Sequence, residues 1–569
     1  MEGRGHSRPR RWHALVIVDL GTQAPENRGM HKRIGLVVLL VFAFAAAPAS
    51  TCTPTSVSID LAADRHPISP LVYGVNFPDT SYLDTVHAPL GRWGGNSVTR
   101  YNYQIDVQNT AADYYFENIP GCWSADANWC ANPPANPQEQ SGANTFLAAL
   151  GARGATALLT VPTIGFVAKA PPKYAHPFDC GCPKSAYPTQ GSFDPYDPNC
   201  GDGTVPGSGA YIDCGSATRT SIAVDPTWAG QWATYLVGKF GPSNGKRIYA
   251  LDNEPNLWSS THHDIRKTKL TYDELWQRMR DNAVAILNAD PTALIAGPAE
   301  WGWPNYFCSD ADDISQGCSA TSPDRAAHGG IELTAWLLQQ AKAYEQANGR
   351  RILHVLDLHY YPQGGNPPAI TRSLWDPTYT DPSWIDAQIE LIPRMRNWVA
   401  QNYPGTKIGV SEFDFYHHDE AVGAVTYAEV LGIFGRESLD MATAWSPPAS
   451  TDRSFAAYRL FRNYDGAGSA FQSTSVRATA SETQLQSYAS VGPSGLTVVL
   501  VNESASSRTL TVGVGAFQPS GAGKLYANDG GATLIHKPDV TVAGGVATVP
   551  LAATTIAILA IPGTDPNGP

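Results

Sequence analysis

Short apolar runs recur along most of the chain, and each run ends at Gly, Pro or a polar residue. Runs of this length that are rich in β-branched residues are typical of buried strands. Eight such runs form a regular series. The predicted strands are Val72–Phe77, Pro89–Trp93, Ala157–Val161, Ile248–Glu254, Leu294–Pro298, Val355–Tyr360, Lys407–Glu412 and Met441–Trp445.

The stretches between several of these strands carry apolar residues at intervals of three and four, which predicts helices with one buried face. Strands that alternate with helices are typical of the α/β class, and eight of them are typical of a (β/α)8 TIM-like barrel. We therefore predict a barrel over residues 71–465, with a loop-rich insertion at 165–220 between its third and fourth strands. The predicted helices include Trp228–Phe240, Tyr272–Asn288, Glu332–Asn348 and Ile385–Asn402.

After a helix-like stretch at Ser454–Tyr464, the pattern changes to short strands separated by Gly, Asn and Ser turns. This pattern predicts an additional antiparallel β-sandwich domain over residues 466–565. Residues 51–70 contain the strand-like stretch Val57–Ala63, which we expect to join that sandwich as an N-terminal strand. The predicted C-terminal strands are Leu496–Asn502, Ser507–Val514, Gly523–Ala527, Val540–Pro550 and Thr554–Ile561.

The N-terminal residues predict an export signal, because the basic stretch Met30 to Arg33 is followed by the apolar run Ile34 to Ala47 and then by small residues. We therefore exclude residues 1–50 from the fold, expect translation to start at Met30, and expect a secreted protein. The apolar run is shorter than the roughly 20 residues that a membrane-spanning helix needs. A minor alternative is a lipid anchor at Cys52, next to the expected processing site.

Cysteine usage agrees with export, because disulfides persist outside the reducing cytosol. Of the nine cysteines, the eight beyond the expected processing site can pair completely. Short spacing predicts the local pairs Cys122–Cys130 and Cys308–Cys318. The pairing of the four cysteines in the insertion stays open: Cys180, Cys182, Cys200 and Cys214.

Composition narrows the class of ligand. Only 16% of the residues are charged, 10% are aromatic, and the formal net charge is −12. A nucleic-acid partner needs a basic surface, so this balance argues against one. Many aromatic residues on an acidic, weakly charged chain favour a neutral ligand. We expect a monomer without a membrane span.

Two predicted strands end on a glutamate. Glu254 closes the fourth strand in YALDNEPNLW, and Glu412 closes the seventh in KIGVSEFDFY. The chemistry of such barrels lies at the carboxyl ends of the strands, so glutamates three strands apart can converge across the barrel mouth. Glycoside hydrolysis needs two carboxyl groups in that arrangement, and Asn253 is of the right type to bind a sugar 2-hydroxyl. Each glutamate alone could instead cap a helix or pair with an arginine.

Several long motifs follow one another along the chain: VSIDLAADRHPISPLVYGVNF, GRWGGNSVTRYNY, YALDNEPNLW, TYDEL, AGPAEWGW, DLHYYP, VSEFDFY and VLGIFGRESLDMATAW. In length and order they resemble glycoside hydrolase family 44. The resemblance covers roughly Val57 to Tyr464, and the tail resembles the β-sandwich of that family.

The resemblance implies a retaining, endo-acting hydrolase of internal β-1,4 bonds in soluble cellulose, xyloglucan or mixed glucans. It implies that Glu254 is the acid/base and Glu412 the nucleophile. A retaining enzyme holds these carboxyl groups about 5–5.5 Å apart, against about 6.5–9.5 Å for inversion, and the reaction needs no cofactor. Two alternatives stay open: a catalytically silent glycan-binding barrel, and a barrel hydrolase that acts on mannan or xylan.

A groove for a glucan chain needs aromatic platforms for the apolar faces of the sugars and polar neighbours for their hydroxyls. Asn96 and His359 are candidates to bind hydroxyls, although His359 could equally be a core histidine. Each aromatic candidate could equally be core packing. The candidates at or just after strand ends are Trp93, Trp258, Trp301, Trp303, Tyr360 and Trp445.

The insertion is also rich in aspartate, which makes a structural calcium site an alternative to a merely solvated acidic loop. We expect no metal in the catalytic step itself. The candidate calcium ligands are Asp194, Asp197, Asp202 and Asp213.

Overall fold

Eight parallel strands form a closed barrel, and they are numbered here in chain order. The computed structural model describes residues 55–121, 134–169, 173–528 and 530–568. The barrel strands are β1 (Gly74–Asn76), β2 (Leu90–Trp93), β3 (Thr156–Val161), β4 (Arg247–Leu251), β5 (Leu294–Glu300), β6 (Val355–Tyr360), β7 (Lys407–Phe413) and β8 (Met441–Ala444).

The structure confirms every predicted barrel strand, with differences of a few residues at the ends. The ring closes where β8 pairs with β1, which places Ala444 beside Val75. The helix predicted from Ile385 begins instead at Leu391, because Glu390 before it adopts a left-handed conformation with φ 45°. The main helices are Thr80–Val86, Gly142–Gly151, Thr227–Phe240, Tyr272–Ala289, Leu333–Asn348, Leu391–Asn402, Ala421–Arg436 and Arg453–Arg462.

Apolar side chains fill the barrel at the amino ends of its strands. This cluster is buried and comes from six of the eight strands. A barrel closed by packing at that end leaves the carboxyl ends of the strands for polar groups and ligands. The cluster comprises Leu90, Leu158, Ile248, Ala250, Ala296, Val355 and Met441.

The C-terminal residues form the predicted β-sandwich, and an N-terminal strand joins it. Ser56–Asp60 lies between two C-terminal strands, because it pairs antiparallel with Thr474–Ala480 and parallel with Arg508–Gly513. Inward side chains of the sandwich form an apolar cluster separate from the barrel core. The other main strands are Leu485–Gly492, Gly495–Asn502, Lys524–Asn528, Leu534–His536, Val546–Leu551 and Thr555–Ile561.

Disulfides hold the insertion between β3 and β4. Its four cysteines, whose pairing the spacing left open, form the bridges Cys180–Cys200 and Cys182–Cys214. The predicted local bridge Cys308–Cys318 is confirmed. These bridges close each loop on itself, and loops that follow the strands of this fold shape the binding site.

Some expectations fall on residues outside the described ranges. They are the export signal and the start at Met30, the lipid anchor at Cys52, and the bridge Cys122–Cys130. Within the described ranges, no helix is both long enough and apolar enough to cross a membrane.

A carboxyl pair joins the barrel to the sandwich. Glu429 on the helix Ala421–Arg436 is buried, accepts a hydrogen bond from Thr371 Oγ1 at 3.0 Å, and shares a hydrogen bond with Glu503 of the sandwich. Burial raises the pKa of Glu429 well above its ordinary range, and the charge of Glu503 raises it further. Burial also raises the pKa of Glu503. The pair therefore keeps a proton at a pH where exposed glutamates have lost theirs.

Glu429→Gln is expected to stabilise the protein at alkaline pH. A carboxyl group whose pKa is raised by folding contributes stability below its unfolded pKa, and that contribution is lost as the pH rises through its folded pKa. The neutral amide needs no proton, so we expect the variant to gain roughly 1–3 kcal/mol at about pH 8.5, the usual cost of a buried unsatisfied group, and little at about pH 5. Thermal unfolding at both pH values measures the gain. Exposed Glu420→Gln is the control, and an equal gain at both pH values would contradict the prediction.

Candidate active site

Glu254 lies just beyond β4, at a sharp change in backbone direction. Its φ of 44° and ψ of 55° lie in the left-handed region, and Pro255 begins a short 3-10 helix directly after it. Its backbone N–H donates to the carbonyl of Ala299 in β5 at 2.9 Å. A non-glycine residue in this region is strained, and such residues cluster at functional sites. The turn brings the carboxyl group of Glu254 to His359 of β6.

Glu412 is the penultimate residue of β7, and two donors hold its carboxyl group. Arg92 of β2 donates from Nη1 to Oε1 at 2.6 Å, and the hydroxyl of Tyr361 donates to Oε2 at 2.8 Å. The Arg92 side chain is fully buried, and that of Glu412 is 6% exposed. A cation and a hydroxyl donor both favour the ionised form of a carboxyl group. These two donors therefore fix the orientation of the Glu412 carboxyl group.

His359 lies between the two glutamates. Its Nδ1 is 2.9 Å from Oε1 of Glu254 and 3.5 Å from Oε2 of Glu412. Its Nε2 is 3.2 Å from the hydroxyl oxygen of Ser411. One ring nitrogen of His359 and one carboxyl oxygen of each glutamate all lie within 4.8 Å of one another. The two carboxyl groups therefore converge. His359 is fully buried, so it contacts the two glutamates and offers little surface to sugar hydroxyls.

The electrostatic environments of the two glutamates differ. Burial raises the pKa of Glu254 to about 7, and the charge of Arg92 offsets this only in part. Burial lowers the pKa of His359 to about 3, so its imidazole is neutral near neutral pH. Glu412 instead forms a direct ion pair with Arg92. Burial thus helps Glu254 to keep its proton, whereas Glu412 lies beside a cation, and an acid and a nucleophile need such different surroundings.

Arg92 connects Glu412 to two of the predicted polar residues, Asn253 and Asn96. Besides Glu412, it donates to Oδ1 of Asn76 at 3.0 Å and to Oδ1 of Asn253 at 2.7 Å. Asn253 is buried, and its amide donates to Oδ1 of Asn96 at 3.0 Å. The sequence prediction had placed both asparagines against the sugar. In the structure they are also part of the support for Glu412.

Two glycines after β2 allow this network to pack closely. A Cβ on Gly94 would lie 2.4 Å from the guanidinium carbon of Arg92. A Cβ on Gly95 would lie 2.4 Å from the ring of Trp445, and the φ of Gly95 is 88°. Trp445, a predicted platform, is half-buried beside this turn. A larger residue at either position would displace the arginine or the indole.

Four other acids near these strand ends are buried and hold neighbouring groups in place. Glu300 is fully buried, and burial raises its pKa well above the ordinary range. Asp357 accepts the backbone N–H of Ser411 at 3.0 Å, and burial raises the pKa of Asp357 to about 7. Further acceptor contacts are those of Glu300 with Asn256, Asp252 with the backbone of Asn253, and Asp414 with the hydroxyl of Tyr427.

Some of the predicted aromatic platforms belong to the core. Trp93 and Trp258 are fully buried, so they present no face to a ligand, and their prediction as sugar platforms is wrong. Trp93 packs against Phe77 and Tyr101. Tyr360 is 4% exposed, and most of its ring is likewise committed to packing.

Two other aromatic candidates, Trp301 and Trp303, line a pocket near Glu412. Trp301 and Trp303 are half-buried and face this pocket, which also includes Tyr361. Trp384, which sequence reasoning did not single out, lies there with 59% of its surface exposed. Its indole N–H donates to Oε1 of Gln363 at 3.3 Å. Tyr361 lines this pocket and also donates its hydroxyl to Glu412, so the pocket adjoins the carboxyl pair at Tyr361.

The four aspartates of the insertion do not form one site in the described residues. Asp194 and Asp197 approach each other together with His176 and Glu117, whereas Asp202 and Asp213 lie outside that group. Asp194 accepts the hydroxyl of Tyr114 at 2.5 Å and the backbone N–H of Asp197 at 2.9 Å. Burial raises the pKa of Glu117 to about 9 beside these carboxylates. The group is thus stabilised by a proton and by protein donors, and the predicted set of calcium ligands is not formed.

Sequence reasoning missed three residues whose side chains bind the side chain of Glu412 or His359: Arg92, Tyr361 and Ser411. Arg92 stands inside the apolar run LGRW, and a charged residue within a buried strand was the available signal. Tyr361 directly follows the end of β6 in the motif DLHYYP. Ser411 gave no signal, because a small polar residue in a strand is common.

A closed (β/α)8 barrel in which two glutamates, one after β4 and one in β7, converge at the strand ends has the arrangement of a barrel glycoside hydrolase. A family model described as glycoside hydrolase family 44 matches residues 107–364. The chain belongs to glycoside hydrolase family 44.

Similar proteins agree with this family. Endoglucanase A of Paenibacillus lautus is 30% identical over 476 residues, which is 76% of this chain. The crystal structure of CelM2, a bifunctional glucanase-xylanase from a metagenome library, shares 36% identity and a TM-score of 0.83, and covers 90% of this chain and 99% of CelM2. A Paenibacillus polymyxa xyloglucanase from family 44 shares 25% identity and a TM-score of 0.70, covering 90% of this chain and 100% of that one. The chain spans only part of the length of two curated relatives that it matches: 61% of the P. lautus protein and 34% of the other.

Proposed function

We propose that this protein is a secreted, endo-acting hydrolase of internal β-1,4-glucosidic bonds that retains the anomeric configuration. The observation that carries the proposal is the approach of Glu254 and Glu412, with one carboxyl oxygen of each within 4.8 Å of the other. Retaining enzymes hold the two carboxyl groups about 5–5.5 Å apart, and inverting enzymes hold them about 6.5–9.5 Å apart to admit a water. The close approach favours direct attack by one carboxylate.

In the first step, a carboxylate oxygen of Glu412 attacks the anomeric carbon, and the bond from that carbon to the leaving glucan oxygen breaks. Glu254 gives its proton to that oxygen, which leaves as a hydroxyl. The product is a glycosyl ester on Glu412. Arg92 and Tyr361 hold Glu412 in the orientation for attack before the substrate arrives.

In the second step, Glu254, now a carboxylate, takes a proton from a water molecule whose oxygen attacks the anomeric carbon. The ester bond to Glu412 breaks, and the sugar leaves with its original configuration. We assign the His359 hydrogen to Nδ1, since Ser411 can donate to Nε2. That hydrogen then donates to Oε1 of Glu254 and leaves Oε2 to carry the catalytic proton.

The surroundings of the carboxyl pair support a neutral polysaccharide substrate. The partly exposed indoles of Trp301, Trp303 and Trp384 offer apolar faces next to the pair, which suits the C–H faces of sugar rings. The P. polymyxa relative is a xyloglucanase, and soluble cellulose, xyloglucan and mixed glucans are the substrates we propose. Xylan is a second candidate, because CelM2 is described as a glucanase-xylanase. The three disulfides of the described residues support secretion.

A substrate panel tests the proposal. The purified protein is incubated with xyloglucan, hydroxyethylcellulose, mixed-linkage glucan, xylan and mannan, and reducing ends and product sizes are followed over time. We expect rapid loss of polymer length on a β-glucan, and NMR of the first products should show the β-anomer. No reducing-end release from any polymer would instead favour a glycan-binding protein, and an initial α-anomer would overturn retention.

A further inference from the structure

A β-hairpin lies between β2 and β3, and its turn carries Asp113, a residue that the sequence analysis did not identify. Its strands Val107–Asn109 and Glu117–Pro120 pair antiparallel, and the turn Ala111–Asp113 lies at the tip. Buried Arg100 donates to the side chain of Asn109 and forms a buried ion pair with Asp264 at 2.9 Å. Asn109 is the last residue of its strand before the turn, so these contacts hold the hairpin close to its tip.

Asp113 is an exposed residue at the hairpin tip, but its carboxyl group faces the protein and is connected to the catalytic network. Its Oδ1 accepts a hydrogen bond from Nδ2 of Asn96 at 3.1 Å. Asn96 in turn accepts from Asn253, whose Oδ1 accepts from Arg92. The Oδ2 oxygen of Asp113 has no hydrogen-bond donor among the described residues. One carboxylate oxygen is therefore fixed in place and the other is free for a ligand.

The charges around Asp113 are negative. Surrounding protein raises its pKa to about 6, the Asn96 hydrogen bond opposes that rise, and the charges of Glu254 and Glu412 add to it. Among the described residues no ion pair neutralises Asp113, and the charges of both glutamates act on it, which a purely structural role explains poorly.

Asp113 and the aromatic pocket lie on opposite sides of the carboxyl pair. The hairpin follows β2, whereas Trp301 and Trp384 follow β5 and β6. In a ring of eight strands, β2 and β6 are diametrically opposite. A polysaccharide that crosses the barrel mouth over Glu254 and Glu412 therefore meets the indoles on one side and Asp113 on the other.

We propose that Asp113 is a selectivity residue: its free oxygen accepts hydrogen bonds from the hydroxyls of a neutral sugar, and its charge excludes sugars that carry a carboxylate at that position. This inference rests on the proposed polysaccharide hydrolysis. Hydrogen bonds from hydroxyls to a carboxylate are stronger than those to a neutral acceptor. A carboxylated sugar in the same place would bring like charges together, and selection against a wrong ligand is commonly built this way.

Asp113→Asn tests the charge while it keeps the shape. The amide oxygen can still accept from Asn96, so the hairpin tip is preserved. Two polymers with the same β-1,4-glucan backbone are compared: carboxymethylcellulose, which is anionic, and hydroxyethylcellulose, which is neutral. We expect the ratio of kcat/KM on the anionic polymer to that on the neutral polymer to rise about fivefold at about pH 7.5, the factor that a like charge a few ångströms away exerts through water.

The pH dependence of the same ratio is a second readout. In the wild type the ratio should fall as the pH rises through about 6, because Asp113 then loses its proton. In Asp113→Asn it should stay level there. The titration of Glu254 affects the cleavage of both polymers, so it largely cancels in the ratio.

Asp84→Asn is the matched control, because Asp84 is an exposed acid that binds Arg153 near the amino end of β3, away from the catalytic mouth. It should leave the ratio unchanged. If the wild type cleaves both polymers and Asp113→Asn has the same kcat/KM ratio, the role of Asp113 is overturned and the proposed function is not. A wild type that cleaves neither polymer, nor any other β-glycan, would overturn the proposed function and the role of Asp113 with it.

Discussion

Glu412→Gln is expected to lower kcat on β-glucan by at least about ten-thousand-fold, as removal of a nucleophile does in other covalent enzymes. The amide nitrogen or oxygen cannot form the glycosyl ester. The amide also cannot balance the charge of Arg92, which lies 2.6 Å from Oε1 in the wild type. Initial rates on the best polymer of the panel measure the loss, and an intact thermal transition shows that the protein is folded.

Two neighbouring acids provide the controls for this loss. Glu300→Gln and Asp414→Asn remove buried carboxyl groups near the same strand ends. Among the described residues, Glu300 binds Asn256 and Asp414 binds Tyr427, and neither is hydrogen-bonded to Glu254 or Glu412. We expect each to cost far less activity than Glu412→Gln. If either variant loses more activity than Glu412→Gln while it remains folded, the assignment of the nucleophile is wrong.

Glu254→Gln is expected to lower kcat on polysaccharide by roughly a hundred- to ten-thousand-fold, the usual contribution of general acid catalysis. It should also change the pH profile. The acid must be protonated, and burial raises the pKa of Glu254 to about 7, so wild-type kcat/KM should fall as the pH rises through about 7. The variant has no proton to lose and should lack this alkaline limb.

An aryl cellobioside with a good leaving group separates the two roles of Glu254. Such a leaving group needs little proton donation, so the first step should survive in Glu254→Ala, and a glycosyl-enzyme should accumulate because the second step lacks its base. Mass spectrometry of the quenched protein detects the adduct. An equal loss on the aryl substrate and the polymer, with no adduct, would show that Glu254 is not the acid/base.

The barrel could be predicted because its signal is local. Each strand is a short apolar run with a turn residue at its end, and Glu254 and Glu412 stand at those ends, so counting strands was sufficient to bring them together. The sandwich strands Thr474–Ala480 and Leu485–Gly492 were missed, because polar residues interrupt their apolar positions.

The supporting residues could not be predicted, because their contacts are far apart in sequence. Arg92 and Glu412 are separated by 320 residues, and nothing near either one indicates the other. The same limit applies to Asn96, whose partners Asp113 and Asn253 lie on different loops. Spacing along the chain reports periodicity within an element, not pairing between distant elements.

The aromatic predictions failed where side-chain direction decides function. A tryptophan at a strand end has the same sequence context whether its ring turns into the core or into the cleft. Trp93 turns inward against Tyr101 and Phe146, whereas Trp301 keeps part of its surface in the pocket. Trp384 was overlooked because it lies in a loop without periodicity, although 59% of its surface is exposed.

The strand Ser56–Asp60 has a consequence for how the chain is made. It leaves the ribosome early, but the two strands between which it pairs, Thr474–Ala480 and Arg508–Gly513, are synthesised after the whole barrel. Contacts this distant along the chain are slow to form, and an unpaired strand invites association with other molecules. Ser56–Asp60 therefore stays without its partner strands until Arg508–Gly513 has been made, and its docking then completes the sheet between them.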